Sequence, residues 1–155
     1  MTDRTTGSAT AKIEKRMITR LVRAACAARA AAYAPYSKFR VGAAVLTAEG
    51  AIHGGCNVEN ASYGATVCAE RVAALGAIAA GARQIRAVAV VYDDHELAIP
   101  CGMCRQVLSE FGPAMLVIQA NTRGEYVLTS LATLLPAPFV TIPMPAATKN
   151  PRRKT

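Results

Sequence analysis

The 155-residue sequence predicts a three-layer α/β/α fold, in which helices cover both faces of a mixed sheet of about five strands. Helical and strand-like segments follow one another in the order α-β-β-α-β-α-β-β-α, which predicts a mixed sheet with helices on its faces. The segment 85–92 is almost continuous in Val and Ala, so we expect cover on both of its faces. No apolar run approaches the ~20 residues that span a membrane.

The first half of the chain predicts one helix and a β-hairpin. The helix covers residues 12–33 and ends before Pro35, and its apolar positions recur every three or four residues. Those positions are Ile13, Met17, Leu21, Ala24, Ala25, Ala28 and Ala32. Strands at 39–47 and 51–58 follow. Gly42 and two alanines in the first strand indicate that a helix or a ligand packs closely on that surface.

The second half predicts alternating helices and strands. A nearly apolar helix from Cys68 to Ala80 is expected to be buried. The remaining elements are a strand at 85–92, a helix at 102–111, strands at 115–119 and 126–128, and a helix at 130–135. We expect one domain over 12–140, preceded by a flexible segment, 1–11, and followed by an irregular basic tail, 141–155.

The net charge of +8 is confined to the two ends of the chain. Residues 1–23 and 149–155 each carry a net charge of +4, whereas residues 24–148 sum to zero. A polynucleotide-binding enzyme places its positive field along the active-site face, so this distribution predicts neither a nucleic-acid partner nor a membrane partner.

Five cysteines without a signal-peptide-like start at residues 1–10 predict a cytoplasmic protein whose cysteines bind metal or act in catalysis. Cys26 and Cys56 lie in helical and strand-like stretches and are expected to be small buried hydrophobes.

The other three cysteines lie in Cys68-Ala69-Glu70 and Pro100-Cys101-Gly102-Met103-Cys104. Three thiolates at two helix starts supply the protein ligands of a catalytic Zn²⁺, which keeps one position open. Glu70 is close enough to act as the base, and Arg71 is placed to hydrogen-bond a ligand sulfur and offset the negative charge. A ligand followed by x-Glu and then Pro-Cys-x-x-Cys is the pattern of zinc deaminases.

The sequence resembles the small, homotetrameric cytidine deaminases over roughly residues 12–140. The matching stretches are Tyr36–Ala44, Gly55–Gly64, Cys68–Arg71, Pro100–Leu108 and Leu134–Phe139. The resemblance implies the fold of that family, hydrolysis of cytidine and 2'-deoxycytidine to the uridines in pyrimidine salvage, and a homotetramer with shared active sites.

The resemblance also assigns roles to individual residues. Cys68, Cys101 and Cys104 bind one Zn²⁺ per chain, and Glu70 shuttles protons between a zinc-bound water and the substrate. Asn57 and Glu59 hydrogen-bond the ribose hydroxyls, and Phe39 lines the pyrimidine pocket. Ala61 and Tyr63 reach the nucleoside of a neighbouring subunit, and Phe139 closes on the base across another interface.

Two positions depart from the family pattern, and three alternatives remain. Met103 stands where a smaller residue or arginine is common, and Pro138 restricts how Phe139 is aimed. A blasticidin S deaminase shares the thiolate signature, although Asn57-Val58-Glu59 favours a free ribose. Nucleotide and polynucleotide deaminases usually have His in place of Cys68, and a non-enzymatic zinc module would have four ligands and no adjacent carboxylate.

Overall fold

The structure, a computed structural model, describes residues 13–141 and arranges them as four α-helices and five β-strands. The helices are α1 (Lys15–Arg29), α2 (Ala69–Ala79), α3 (Gly102–Phe111) and α4 (Leu131–Leu134). The strands are β1 (Gly42–Thr47), β2 (Ile52–Cys56), β3 (Ile85–Val91), β4 (Leu116–Ala120) and β5 (Tyr126–Ser130). The expected flexible segment 1–11 and the expected basic tail, from residue 142 onwards, lie outside the described residues.

The five strands form one mixed sheet in the order β2-β1-β3-β4-β5. Strands β3 and β4 are parallel and are joined by a crossover through α3, whereas the other neighbours are antiparallel. The predicted β-hairpin is the β1–β2 pair, in which Val45 lies opposite His53.

Helices cover both faces of the sheet, which confirms the predicted three-layer α/β/α fold. On one face α1 contributes Leu21 and Val22, which are buried with Leu46 and Ile118 of the sheet. On the opposite face α2 and α3 pack against side chains of β1, β3 and β4, with Leu108 of α3 in the same buried cluster. Alternating residues of β1 and β3 therefore belong to two separate cores.

Glycines let both helical layers approach the sheet at backbone distance. A Cβ placed on Gly42 would overlap the last turn of α1, lying 2.6 Å from Arg29 N. A Cβ on Gly55 would lie 2.8 Å from Ala69 O and 2.9 Å from Ala73 Cα, both in α2. The close contact that the sequence predicted at Gly42 is confirmed, and the object packed there is a helix.

Two helices differ from their sequence predictions. Helix α1 ends at Arg29, because the chain then turns and Tyr33 N donates a hydrogen bond to Asn57 O (3.0 Å). Helix α2 is buried on one side only, and Leu75 on its other side is 49% exposed, so the expectation of a wholly buried helix was wrong for this chain on its own. Among residues 13–141, no helix is long and apolar enough to cross a membrane.

Candidate zinc centre and active site

Three cysteine sulfurs converge where α2 and α3 begin. Cys68 is the N-cap of α2 and Cys101 is the N-cap of α3, each with extended backbone angles. Cys104 lies in the first turn of α3, and its N–H donates to Cys101 Sγ (3.4 Å). The three Sγ atoms lie within 4.8 Å of one another, with 4.0 Å between those of Cys68 and Cys101. This spacing suits three ligands of one ion.

The cluster favours the thiolate form at Cys68. A hydrogen bond from the Cys104 thiol, aided by Arg71, lowers the pKa of Cys68 to about 5. The same hydrogen bond and burial raise the pKa of Cys104 above its ordinary value. Because the thiolate is the form that binds metal, one anionic sulfur is available at neutral pH before a metal enters.

Arg71 supplies positive charge beside the sulfurs. Its Nη2 donates to Thr66 O (3.0 Å) and lies 3.8 Å from Cys68 Sγ. Its Nε is buried and has no hydrogen-bond partner within residues 13–141. Three thiolates on Zn²⁺ leave a net negative charge. A guanidinium with an unused N–H donor therefore fits a centre in which three cysteines hold a zinc ion.

Glu70 is the buried carboxyl group of the site. It lies in the first turn of α2 and is 4% exposed. Burial, together with the negative charge of Cys68, raises the pKa of Glu70 above its ordinary value. A carboxylate that takes up a proton more readily than usual is suited to general acid–base catalysis.

A cavity of about 490 Å³ connects these groups to the edge of the hairpin. Its walls include six of the residues that the sequence singled out: Phe39, Asn57, Glu59, Cys68, Glu70 and Cys101. Cys104 is fully buried beneath the other two sulfurs. The cavity therefore has an ionisable end at the two helix starts and an aromatic and polar end at residues 39–59.

Asn57 and Glu59 both hold the segment that carries Phe39. The side-chain amide of Asn57 accepts from Val41 N (2.8 Å) and donates to Phe39 O (2.8 Å). Glu59 accepts from Ser37 N (3.2 Å) and from the Ser37 hydroxyl, and this hydroxyl bond is the main cause of the lowered pKa of Glu59. Both side chains lie after β2, and these bonds direct them into the cavity.

Ala61, Tyr63 and Phe139 lie outside this cavity. Tyr63 is 74% exposed and its ring packs edge-on against Tyr36, 5.8 Å between centroids. Phe139 is 69% exposed, and its backbone N–H and C=O both bond the side chain of Gln106 (2.9 Å each). Ala61 is exposed on the loop before Tyr63. In a single chain, the three residues do not reach the zinc centre.

Tyr92 and Ile99 are among the cavity-lining residues that the sequence did not single out. Tyr92 directly follows β3, one of the two parallel strands. Ligands often bind beyond the carboxyl ends of such strands, and this rule could have identified the position. Ile99 precedes Pro100, and no signal in the sequence marked it.

A metal-ligand cluster, an adjacent buried carboxyl group and a cavity on a three-layer α/β/α fold define a zinc-dependent hydrolytic deaminase. Residues 15–120 match the family model described as the cytidine and deoxycytidylate deaminase zinc-binding region. The chain belongs to this family, as its sequence predicted, and its cofactor is one Zn²⁺ held by Cys68, Cys101 and Cys104.

Known cytidine deaminases are similar in both sequence and fold. The cytidine deaminase of Sporosarcina psychrophila is 49% identical over 113 residues, which are 72% of this chain and 83% of that protein. The cytidine deaminase of Halalkalibacterium halodurans is 46% identical over 120 residues, 77% of this chain and 91% of that protein. The crystal structure of cytidine deaminase from Burkholderia pseudomallei superposes with a TM-score of 0.75 at 48% identity, covering 82% of this chain and 100% of that one.

Proposed function

We propose that this protein hydrolyses cytidine and 2'-deoxycytidine to uridine or 2'-deoxyuridine and ammonia, as a step of pyrimidine salvage. The observation that carries the proposal is the shared cavity: the carboxyl group of Glu70 and the sulfurs of Cys68 and Cys101 face the same space as Phe39 and Asn57. The similar proteins named cytidine deaminase support the choice of base.

In this proposal Glu70 moves the protons. Zinc, when bound, acts as a Lewis acid that lowers the pKa of water. The Glu70 carboxylate takes a proton from the attacking water and gives it to ring nitrogen N3, as the water oxygen bonds to C4. It then takes the remaining proton from the hydroxyl group on C4 and passes it to the amino nitrogen. The bond between C4 and the amino nitrogen breaks, the C4–O bond becomes a carbonyl, and ammonia leaves. The raised pKa of Glu70 supports both the uptake and the return of a proton.

The other end of the cavity would bind the sugar. One amide N–H of Asn57 donates to Phe39 O, which leaves the second N–H for a ribose hydroxyl. The lowered pKa of Glu59 keeps its carboxylate ionised, so it can accept from the hydroxyl groups. Phe39 is 49% exposed in the single chain and offers its ring to the pyrimidine.

An ultraviolet assay tests this proposal directly. Cytidine and 2'-deoxycytidine should lose their absorbance while ammonia forms in equal amount. CMP should be a poor substrate because, among residues 13–141, the cavity walls carry no Lys or Arg. Comparable kcat/KM for CMP and cytidine would contradict a nucleoside enzyme. No ammonia from either nucleoside would overturn the proposal.

A second candidate substrate is the antibiotic blasticidin S. The blasticidin-S deaminase of Bacillus cereus is 31% identical to this chain over 111 residues, 66% of this chain and 79% of that protein. The Asn57 and Glu59 side chains at the sugar end support a free ribose instead. The same assay with blasticidin S decides between the two, because only one substrate should reach a high kcat/KM.

We further propose a homotetramer in which each active site takes residues from neighbouring chains. Tyr63, Phe139 and Leu75 are exposed apolar side chains, and Cys101 is exposed beside the zinc centre. A neighbour would bury this surface and bring an aromatic ring to the open side of the cavity.

Mixing variants tests the shared site. An inactive Glu70→Gln chain mixed with an inactive Tyr63→Ala chain should regain part of the activity, since some sites would again contain both intact residues. Glu70→Gln mixed with Cys101→Ala serves as the control, because both changes lie at one chain's own zinc centre. A fully active monomer by light scattering would refute the assembly.

We also place the protein in the cytoplasm. Within residues 13–141, none of the five cysteines forms a disulfide, and three of them are metal ligands. A reducing compartment keeps cysteines in this reduced state. Cell fractionation with a cytoplasmic marker is the direct measurement. We propose neither a nucleic-acid nor a membrane partner. The protein should not change the mobility of DNA or RNA in a gel shift, and it should not sediment with lipid vesicles.

A further inference from the structure

Tyr92 forms a wall of the cavity next to Phe39. Val90 and Tyr92 are alternate residues along β3 and its end, so both face the cavity. The ring centroids of Tyr92 and Phe39 lie 5.1 Å apart at an angle of 43°. This distance lies within the range of favourable aromatic pairs, so the two rings form one apolar surface.

Hydrogen bonds fix Tyr92 at its phenol end. The hydroxyl donates to Leu97 O (3.2 Å), and Glu96 Oε2 lies 3.3 Å away as a second acceptor. Burial and the bond to Glu96 raise the pKa of Tyr92, so the hydroxyl keeps its proton near neutral pH. The ring is thereby tied to the loop that leads to Cys101.

Arg29 fixes the same residue at its backbone end. Arg29 Nε donates to Tyr92 O and also to Arg40 O (3.1 Å), the residue after Phe39. Helix α1 can bring Arg29 this close because Gly42 has no side chain. One guanidinium group therefore holds the two strand ends from which both rings project.

The direction of the substrate follows from its chemistry. C4 and N3 of the cytosine must face Glu70 and the three cysteines, because the proposed reaction occurs there. The C5–C6 edge of the ring then remains to meet an apolar wall. Phe39 and Tyr92 are the aromatic residues that line the cavity.

We propose that Tyr92 is a specificity-determining residue that sets the size of the pyrimidine base the cavity accepts, and that Arg29 is its positioning residue. This inference rests on the proposed function. It concerns groups attached to C5 or C6 of the base, which the aromatic wall would exclude. A methyl group in an apolar pocket changes discrimination by about 10–200-fold, so enlarging the pocket should change selectivity on that scale.

The test compares cytidine with 5-methylcytidine and 6-methylcytidine. Tyr92→Ala should raise kcat/KM for at least one methylated substrate relative to cytidine by at least about tenfold. Tyr92→Phe should keep the wild-type ratio, since the ring stays. Arg29→Ala should raise KM for cytidine with little change in kcat. It should also shift the preference between methylated substrates and cytidine in the same direction as Tyr92→Ala does. Arg29→Lys should restore part of the original preference.

Two controls keep the result interpretable. Tyr126→Ala removes a tyrosine that packs on the α1 face of the sheet, and it should leave the ratio unchanged. Tyr92→Trp enlarges the side chain and should lower kcat/KM for the methylated substrates relative to cytidine. This variant tests the role of Tyr92 if Tyr92→Ala does not fold. Zinc content and thermal unfolding establish that each variant is folded.

A binding measurement separates this inference from the proposed function. Calorimetric dissociation constants for uridine, 5-methyluridine and 6-methyluridine require no turnover, and Tyr92→Ala should shift them in the same direction. Failure of the unaltered protein to deaminate cytidine would refute the proposed function alone. Equal effects of Tyr92→Ala on all three nucleosides, in turnover and in binding, would refute the role of Tyr92.

Discussion

The two faces of the sheet are packed by different kinds of side chain. Beneath α1 the helix contributes Ile18, Leu21 and Val22, which fill the space above β1, β3 and β4. Beneath α2 the helix contributes four fully buried alanines, Ala69, Ala73, Ala74 and Ala77, and one larger side chain, the partly buried Ile78. Both helices come close to the sheet at a glycine, Gly42 under α1 and Gly55 under α2. Helix α1 adds bulky aliphatic side chains to this contact, whereas α2 adds mainly alanines.

The difference shows what the catalytic face requires. Small residues let the start of α2 lie close to the sheet, with Gly55 beneath Ala69 and Ala73. Cys68 and Glu70, on either side of Ala69, are thereby carried to the cavity. Helix α1 approaches closely only near its last turn, at Gly42, and elsewhere it uses large side chains for stability.

Removing zinc should abolish activity and loosen only the catalytic face. Without the ion, the starts of α2 and α3 lose the metal that joins them, whereas α1 loses no contact. Hydrogen exchange should therefore speed up around Cys68 and Cys101 and stay unchanged in α1. Elemental analysis should find one zinc per chain before chelation, and added Zn²⁺ should restore the rate. Full activity in metal-free protein would contradict this prediction.

Glu70→Gln should lower kcat by about 10²–10⁴-fold, the usual contribution of a positioned acid–base group. The amide keeps the shape of the side chain but cannot carry the proton. Zinc content and the midpoint of thermal unfolding should stay as in the unaltered protein. Glu110→Gln, at an exposed position on α3, is the matched control and should change nothing. A Glu70→Gln enzyme with most of its rate would show that another group moves the proton.

On the other face, Leu21→Ala should lower the free energy of unfolding by about 2–5 kcal/mol. Leu21 is fully buried beneath α1, and the truncation leaves a cavity there. The kcat of the folded enzyme should not change, since Leu21 does not line the active-site cavity. Denaturant unfolding at one fixed protein concentration measures the first effect, and steady-state kinetics measure the second. A loss of kcat with unchanged stability would mean that the two faces are not separate.

The adjacent glycines of β2 give the finest comparison. Gly55→Ala should cost about 1–3 kcal/mol and also lower kcat, because the added methyl would displace the backbone of α2. The methyl group of Gly54→Ala would lie 3.3 Å from the Ala28 side chain and at an ordinary contact distance, 3.9 Å, from the carbonyl oxygens of Ala24 and Ala43. This substitution should therefore cost less and leave kcat unchanged. Unfolding curves and kinetics of the two variants side by side provide the test. Equal losses in both would indicate that α2 does not depend on close packing.

The zinc centre was predictable because its signal is local. Cys101 and Cys104 lie one turn apart, and Cys68 and Glu70 both lie at the start of a helix, so short spacing defined their geometry. The strand β3 was predictable for the same reason, since a nearly continuous run of Val and Ala marks it. The family resemblance added the assignment of the substrate-binding residues, which stays a prediction.

Other features could not be predicted, because they depend on how distant segments meet. Arg29 and Tyr92 come together only through the pairing of β1 with β3, where Gly42 lies opposite Val91. The end of α1 depends on the bond between Tyr33 and Asn57, a contact between separate segments. The open side of α2, with Leu75, looked buried because composition alone does not tell a core from a surface that a partner covers.

The metal site and the parallel pair of β3 and β4 both join segments that are far apart in the chain. Cys68 precedes β3, whereas Cys101, 33 residues later, follows it in the crossover to β4. Antiparallel hairpins such as β1–β2 form from near neighbours, but a parallel pair must first close a long loop, which is slow. Cys68 and Cys101 likewise come together only when the chain between them, which contains α2 and β3, closes on itself. A zinc ion held by both cysteines would close this loop and so stabilise the same arrangement of distant segments.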